Sequence, residues 1–294
     1  VLPHRFRWIM LLAASYFFYM SWNVWLVGLI FLTTLTAYIA GIGIDRTENK
    51  KAKKAWLVGT LIICLGALVF FKYINFILES VTGIVRLFHS EQDDIVLNVI
   101  LPVGISFYTF QTLSYVIDVY RGEEAEKNLI DYAAFTIAFP QLTMGPILRY
   151  REWRGALKER TITREDVFSG FELGLCFKVL LADQLAPLWA SLERIGYEYL
   201  STPLAWLGAV SYSLQLYFDF SGYSLMAMGL GQMLALPVPR NFDLPYTARS
   251  VSEFYRRWHI TLGTWFRDYV YIPLGGSRNG NARTVLSLTV VWFF

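Results

Sequence analysis

Apolar residues fall in long blocks along this chain, and short stretches rich in Arg and Lys separate the blocks. Backbone inside lipid must satisfy its hydrogen bonds within a helix or a closed barrel. The blocks lack the alternating period of barrel strands, so they predict helices. Trp8 to Trp22 is aromatic-rich but short of the roughly 20 residues a span needs. Asn23 interrupts it, and Val24 to Ile44 predicts a full-length second helix. Asp45 to Lys54, DRTENKKAKK, carries five basic residues in ten. The positive-inside rule makes it the cytoplasmic loop of a helical hairpin. Trp56 to Leu78 then crosses outward, with Lys72 close enough to the end to snorkel. The loop from Arg86 to Asp94 sets one Arg against Glu91, Asp93 and Asp94. Ile95 to Tyr120 returns, broken by Pro102 and Gly104, and carries Ser106, Tyr108, Gln111 and Ser114.

Asp131 to Leu148 is apolar enough to enter a membrane, but Pro140, Gly145 and Pro146 forbid an intact spanning helix. Arg149, Arg151, Arg154, Lys158, Arg160 and Arg164 follow it, so the segment is expected to be re-entrant, entering and leaving on the cytoplasmic side. Val167 to Leu188 goes outward with Lys178 and Asp183 inside it, which either pair with each other or line a polar cavity. Leu204 to Leu236 comes back with Gln215, Tyr217, Asp219, Ser221 and Tyr223. The stretch from Arg240 to Arg283 holds seven Arg and is expected near the cytoplasmic face. Within it, Ser250 and Glu253 have capping-box spacing. Val251, Phe254, Tyr255, Trp258, Leu262, Trp265 and Tyr269 recur at helical spacing opposite Arg256, Arg267 and Asp268, which predicts one amphipathic helix. Pro273 and Gly275-Gly276 end it, and Thr284 starts a further span.

The pattern therefore predicts an all-α, polytopic transmembrane helical protein with re-entrant and interfacial helices. A single membrane-embedded domain is expected to cover residues 1–294. Val1 is not an initiator residue and Trp292-Phe293-Phe294 lies inside an apolar run, so a fragment incomplete at both ends is expected. Composition sharpens the class. Of 294 residues, 55% are hydrophobic and only 17% charged, with a mean hydropathy of +0.41. Soluble domains carry about 25% charged residues. A net charge of +3, with its basic residues in loops, speaks of topology and not of nucleic-acid binding. Cys64 and Cys176 sit in apolar runs and read as small core residues. No metal site is expected.

Candidate chemistry is sparse. A carboxylate in an apolar segment is costly, so Asp219 is a functional-site candidate. It either orients a reacting group or an Arg, or serves as the buried partner that fixes helix packing. Of three His, His4 is expected in the leading loop and His89 in a surface loop. His259 falls about 90° from the centre of the apolar stripe at 100° per residue. At that boundary a neutral imidazole is a proton acceptor, or else it hydrogen-bonds backbone and holds the site together. Arg256 and Arg257 offer positive charge either to phosphates or to anionic lipid.

Several motifs together resemble the membrane-bound O-acyltransferase family, in particular its bacterial branch of alginate O-acetyltransferase-like proteins. They are LYFDFSGYS (Leu216 to Ser224), NF with PY (Asn241, Phe242, Pro245, Tyr246), EFYRRWHI (Glu253 to Ile260) and WFRDYVYIPLGG (Trp265 to Gly276). Outside that core, LPVGISFYTFQTLSYVIDVYRG (Leu101 to Gly122) and FPQLTMGPILRY (Phe139 to Tyr150) match the same family. The resemblance implies transfer of an acyl group from a cytoplasmic thioester, acetyl-CoA or another, toward hydroxyls of an extracytoplasmic polysaccharide such as alginate. It implies no permanently bound cofactor, a bacterial inner-membrane location, and an acceptor reached through a periplasmic acetyltransferase partner or directly. His259 is the candidate catalytic residue, and Asp219, Tyr217, Ser221, Asn241, Arg257 and Gln111 are candidate substrate-binding residues. The family carries two characteristic His. His259 matches the first. The second, which the resemblance implies is the catalytic base, lies in a Trp-His-Gly motif of the next span and is expected beyond Phe294, so the fragment is expected to lack that base. Leu225 departs from the family's usual Asp in SGYSD. D-alanyl transfer to teichoic acid is the close alternative, and a non-enzymatic membrane conduit the more distant one.

Overall fold

The computed structural model describes residues 4–86, 97, 99–158 and 166–293. Among them every regular element is helical, in keeping with the expected all-α class. The described residues form twelve α-helices: α1 (His4–Trp22), α2 (Val27–Arg46), α3 (Lys50–Arg86), α4 (Ile105–Tyr120), α5 (Leu129–Ile137), α6 (Tyr150–Lys158), α7 (Asp166–Cys176), α8 (Asp183–Ile195), α9 (Thr202–Met233), α10 (Val251–Arg257), α11 (Ile260–Phe266) and α12 (Asn281–Phe293). Wider π turns, Phe177–Ala182 and Arg267–Tyr271, follow α7 and α11. The contacts gather into two compact units, one ending at Thr143 and one beginning at Met144.

Three described helical stretches are long and apolar enough to cross a membrane: Val27–Arg46, Lys50–Arg86 and Gly170–Ile195. They make this a multi-pass helical membrane protein. The spans expected at Ile95 to Tyr120 and Leu204 to Leu236 are not among the three. Pro102 and Gly104 shorten the first to the 16 residues of α4. The second, α9, is long enough at 32 residues, but Ser, Gln, Asp, Tyr and Gly dilute its apolar character. The basic DRTENKKAKK run is also less of a loop than expected. It lies mostly in the end of α2 and the first turn of α3, with only Thr47 to Asn49 between them. His4 starts α1 instead of lying in a loop, and His89 falls outside the described residues.

In the first unit α4 is the hub, with eleven of its sixteen residues buried against α2, α3 and α5. Hydroxyls join the helices: Thr34 of α2 and Thr136 of α5 lie 3.0 Å apart. Gly104, at φ 72°, allows the tight entry into α4, because a Cβ there would collide with the carbonyl of Leu142. Buried polar side chains are frequent here. Gln111 is 2% exposed and Gln141 1%. α5 ends at Ile137, so Pro140 to Gly145 continue as turns and not as a spanning helix.

In the second unit α7, its π turn and α8 pack along α9. Small residues make that contact close. A Cβ on Gly174 would lie 2.5 Å from the carbonyl oxygen of Gly222, and one on Gly222 would lie 2.8 Å from that of Gly174. Such small-residue contacts let helix backbones approach in lipid. Cys176, expected in a core, is exposed on this stretch, whereas Cys64 is buried.

Candidate functional site

The amphipathic helix expected from Val251 to Tyr269 is broken. Ser250 caps α10 as its spacing predicted, accepting from the Glu253 N–H at 3.1 Å, while the Glu253 carboxylate accepts from the Arg249 N–H at 2.9 Å. After Arg257 the chain leaves the helix, and His259 adopts a left-handed conformation, φ 44° and ψ 55°, before α11 begins. The reason is competition for backbone groups. The Arg257 carbonyl accepts from Asp243 N–H at 2.9 Å, and the Ile260 N–H donates to the Asn241 carbonyl at 2.9 Å. A continuous helix would have used both groups internally. Left-handed backbone costs a non-glycine residue about 1–2 kcal/mol, and such residues cluster at functional sites. Among the described residues the non-glycine cases are Ala235 and Leu244, between α9 and α10, and His259.

Asn241 sits at the centre and is 1% exposed. Its Oδ1 lies 3.0 Å from His259 Nδ1, accepts the Thr261 hydroxyl at 2.9 Å, and accepts the Thr261 N–H at 3.2 Å. Its Nδ2 donates to Ser224 Oγ of α9 at 3.3 Å. Thr261 Oγ1 in turn accepts the Ile147 N–H at 3.0 Å. The broken Gly145-Pro146 segment is thereby tied to the start of α11. Two residues further, Arg149 Nη2 meets Asp268 Oδ2 at 2.7 Å and its guanidinium lies over the Tyr269 ring.

The His259 ring is partly buried between aromatics. Phe220 of α9 meets it edge-on at 4.8 Å between centroids, and Phe242 stacks at 6.5 Å. Burial pushes its pKa down to about 4, so the ring is neutral at physiological pH. It also lines an apolar pocket of about 450 Å³ with Trp258, Phe266, Arg267 and Trp292. A smaller cavity of about 150 Å³ lies beside Asn241, lined by Tyr217, Ser221, Ser224 and Arg240 among others.

The other candidates divide. Tyr217 belongs to the aromatic cluster with Phe242, Tyr246 and Trp258, at 5.3–6.2 Å between centroids. Ser221 faces the small cavity but donates its hydroxyl to the Tyr217 carbonyl at 2.6 Å. Arg257 is engaged by Glu253 at 2.6 Å and by Thr247 at 2.9 Å. Asp219 adjoins Phe220 in sequence but pairs with Lys178 at 2.6 Å, and Lys178 also holds Asp183 at 2.8 Å. Gln111 belongs to α4 of the first unit and is not part of this network. Sequence reasoning missed Thr261, Ser224 and the Arg149–Asp268 pair. Opposite charges at Arg149 and Asp268, each within a motif stretch, were the available signal for the last.

A buried asparagine holding a neutral histidine within a multi-pass helical protein defines a membrane protein with a preorganised imidazole site. The match to known proteins is more specific. The membrane-bound O-acyltransferase family model covers residues 11–294, and the chain belongs to that family. It is 43% identical over 292 residues to the "Probable alginate O-acetylase AlgI" of Azotobacter vinelandii, covering 97% of this chain and 58% of that relative. It is 35% identical over 305 residues to the peptidoglycan O-acetyltransferase of Helicobacter pylori, covering 92% and 56%. It is 32% identical over 186 residues to the teichoic acid D-alanyltransferase of Streptococcus thermophilus, covering 58% and 44%. The chain thus spans little more than half the length of the alginate and peptidoglycan relatives.

Proposed function

We propose that this chain is membrane-embedded machinery of an O-acetyltransferase that modifies an extracytoplasmic polysaccharide from a cytoplasmic acyl thioester. The observation that carries the reading is 43% identity to an alginate O-acetylase across 97% of the chain. In this reading residues 1–294 act as one domain of the bacterial inner membrane, and the acceptor is alginate or a related glycan. The acceptor oxygen attacks the thioester carbonyl, a C–O bond forms, the C–S bond breaks, and the hydroxyl proton passes through a base to the departing thiolate. A positioned imidazole typically contributes 10²–10⁴-fold to such a step. His259, neutral and held by Asn241, suits that role. Asp219, Tyr217, Ser221 and Arg257 are proposed substrate contacts in the second unit and Gln111 one in the first, with Asn241 serving through its hold on His259.

The test uses the full-length protein in native membranes with labelled acetyl thioester, offered alginate, peptidoglycan and teichoic acid in parallel. Labelled alginate or another glycan ester that disappears in His259→Ala supports the reading. A product labelled only from a D-alanyl donor would replace it with D-alanylation, the reaction named for the Streptococcus thermophilus relative. Ester formation unaffected in His259→Ala would move the base to another histidine, such as the Trp-His-Gly imidazole implied by the family resemblance. The topology is tested separately by cysteine labelling at Glu124 and Lys158: same-side labelling supports a re-entrant Asp131 to Leu148, and opposite-side labelling overturns it.

A further inference from the structure

We infer that Asn241 is a positioning residue which holds His259 as the Nδ1–H tautomer, leaving the lone pair on Nε2. The inference follows from the direction of each hydrogen bond around one oxygen. An asparagine amide shows two chemically different ends, and which is oxygen must be read from its partners. Here the Thr261 backbone N–H, which can only donate, points at Oδ1 from 3.2 Å. The same atom faces the Thr261 hydroxyl at 2.9 Å. The backbone N–H, which cannot accept, fixes Oδ1 as the oxygen. The hydroxyl, which accepts from the Ile147 N–H at 3.0 Å, then donates its own proton to that oxygen. At the opposite end, Nδ2 has an acceptor in Ser224 Oγ at 3.3 Å.

His259 Nδ1, 3.0 Å from that fixed oxygen, is stable there only if it carries a proton. An unprotonated Nδ1 would set lone pair against lone pair inside a buried site. In a neutral ring the Nδ1 proton leaves Nε2 as the acceptor. The ring is neutral because it lies between Phe220 and Phe242, and a neutral amide oxygen, unlike a carboxylate, does not pull it toward the imidazolium. The left-handed turn at His259 and the Ile260 N–H to Asn241 carbonyl bond hold the two residues in register. Asn241 thus does without charge what a carboxylate does in a charged triad: it selects the tautomer and orients the ring. The catalytic consequence rests on His259 taking a proton in the proposed reaction, whereas the tautomer itself does not.

The test is nitrogen NMR on full-length protein with ¹⁵N-labelled histidine, the His259 signals being those lost in His259→Gln. Protonated and unprotonated ring nitrogens differ in shift, so the tautomer is read directly. Wild type is expected to show one population with Nδ1 protonated and Nε2 bare. A bare Nδ1, or a mixture, overturns the inference whatever the activity. Asn241→Ala is expected to give a mixture or the opposite tautomer, and an unchanged Nδ1–H form in that variant also overturns it. Should Asn241→Ala fail to fold, Asn241→Asp keeps the acceptor and the shape. It should retain the Nδ1–H tautomer and raise the ring's pKa, and loss of the Nδ1 proton there would overturn the inference as well. In the acyl-transfer assay Asn241→Ala should lower kcat roughly 10²-fold with little change in KM. Loss of turnover in His259→Ala with the predicted tautomer absent would sink the positioning role alone. The predicted tautomer with full turnover in His259→Ala would sink the base role alone.

Discussion

The ammonium of Lys178 lies 2.6 Å from the carboxylate of Asp219, and so joins the π turn after α7 to the middle of α9. The same nitrogen holds Asp183 at 2.8 Å. Lys178 is the shared partner, so the three substitutions differ in severity. Lys178→Met leaves Asp183, in a stretch apolar enough to span a membrane, and Asp219 of α9 without their shared cation. The cost should approach the roughly 3 kcal/mol of an uncompensated charge at mid-span. Asp219→Asn leaves Lys178 paired with Asp183 and should cost about 1 kcal/mol. Lys178→Met combined with Asp219→Asn should recover part of the loss. Abundance and thermal stability of the purified variants give the order. If Asp219→Asn proves as destabilising as Lys178→Met, the shared-partner account is wrong. If it keeps its abundance but loses acyl transfer, Asp219 contacts a reacting group as well.

Close approach of α7 and α9 makes a second, sterically simple prediction. Gly174 and Gly222 face each other with no room for a Cβ, and Gly229 meets the backbone of Phe171. Gly174→Val should force the helices apart and cost about 1–3 kcal/mol, as overpacking does elsewhere. Gly66→Ala is the control, since a Cβ there meets nothing within 4 Å. It should be neutral or slightly stabilising, because alanine is the better helix former. Equal Tm for Gly174→Val and wild type would contradict the packing.

Much of this molecule was readable from residue order, and the unread parts share a cause. Apolar blocks gave α2 and α3, and the Ser250 and Glu253 spacing gave the start of α10. Pairing of Lys178 with Asp183 was one of two readings open from the residues, the other being a polar cavity, and residues five apart do not face each other on an α-helix. The π turn supplies the missing geometry, with the Asp183 N–H bonding the Lys178 carbonyl. Periodicity also ran unbroken through Trp258 and His259, because it counts side chains and ignores backbone partners. The break comes from Asn241 and Asp243, which capture the groups a helix would use. Asn241 was visible only as part of a short motif. Its role depends on Thr261 and on Ile147, more than ninety positions before it, and only folding brings them together.

Arg149 and Asp268 carry the third prediction. Burial alone would raise the Asp268 carboxyl, but hydrogen bonds and charge from Arg267 and Arg149 hold it below the usual range. A depressed carboxylate contributes stability above its unfolded value of about 4, and that contribution is lost as pH falls through the folded value. Asp268→Asn should therefore lower Tm at neutral pH and should narrow its gap to wild type below about pH 4. Arg149→Lys should not rescue the site. Lysine keeps the charge but loses the planar contact over Tyr269, 5.3 Å from the guanidinium to the ring centroid. A Lys variant indistinguishable from wild type would show that charge alone matters.

His259 titrates in a different window, which makes its contribution separable. Its pKa is pushed down to about 4 by burial, from an ordinary value of 6.5. The unfolded chain therefore takes up a proton near pH 6.5 that the folded chain refuses until near pH 4. Stability linked to this ring is fully present above 6.5, declines as pH falls from 6.5 toward 4, and declines no further below that. Wild type should lose Tm faster than His259→Gln across that interval, and the two curves should run parallel above pH 7. The same shift makes a kinetic prediction if His259 accepts the acceptor's proton. A base with an ordinary imidazole pKa would lose half its activity near 6.5, whereas this ring stays unprotonated well below that. Turnover in the acyl-transfer assay should therefore show no acid limb at 6.5. A limb centred there, together with parallel stability curves for wild type and His259→Gln, would mean that the ring is solvated in the working protein.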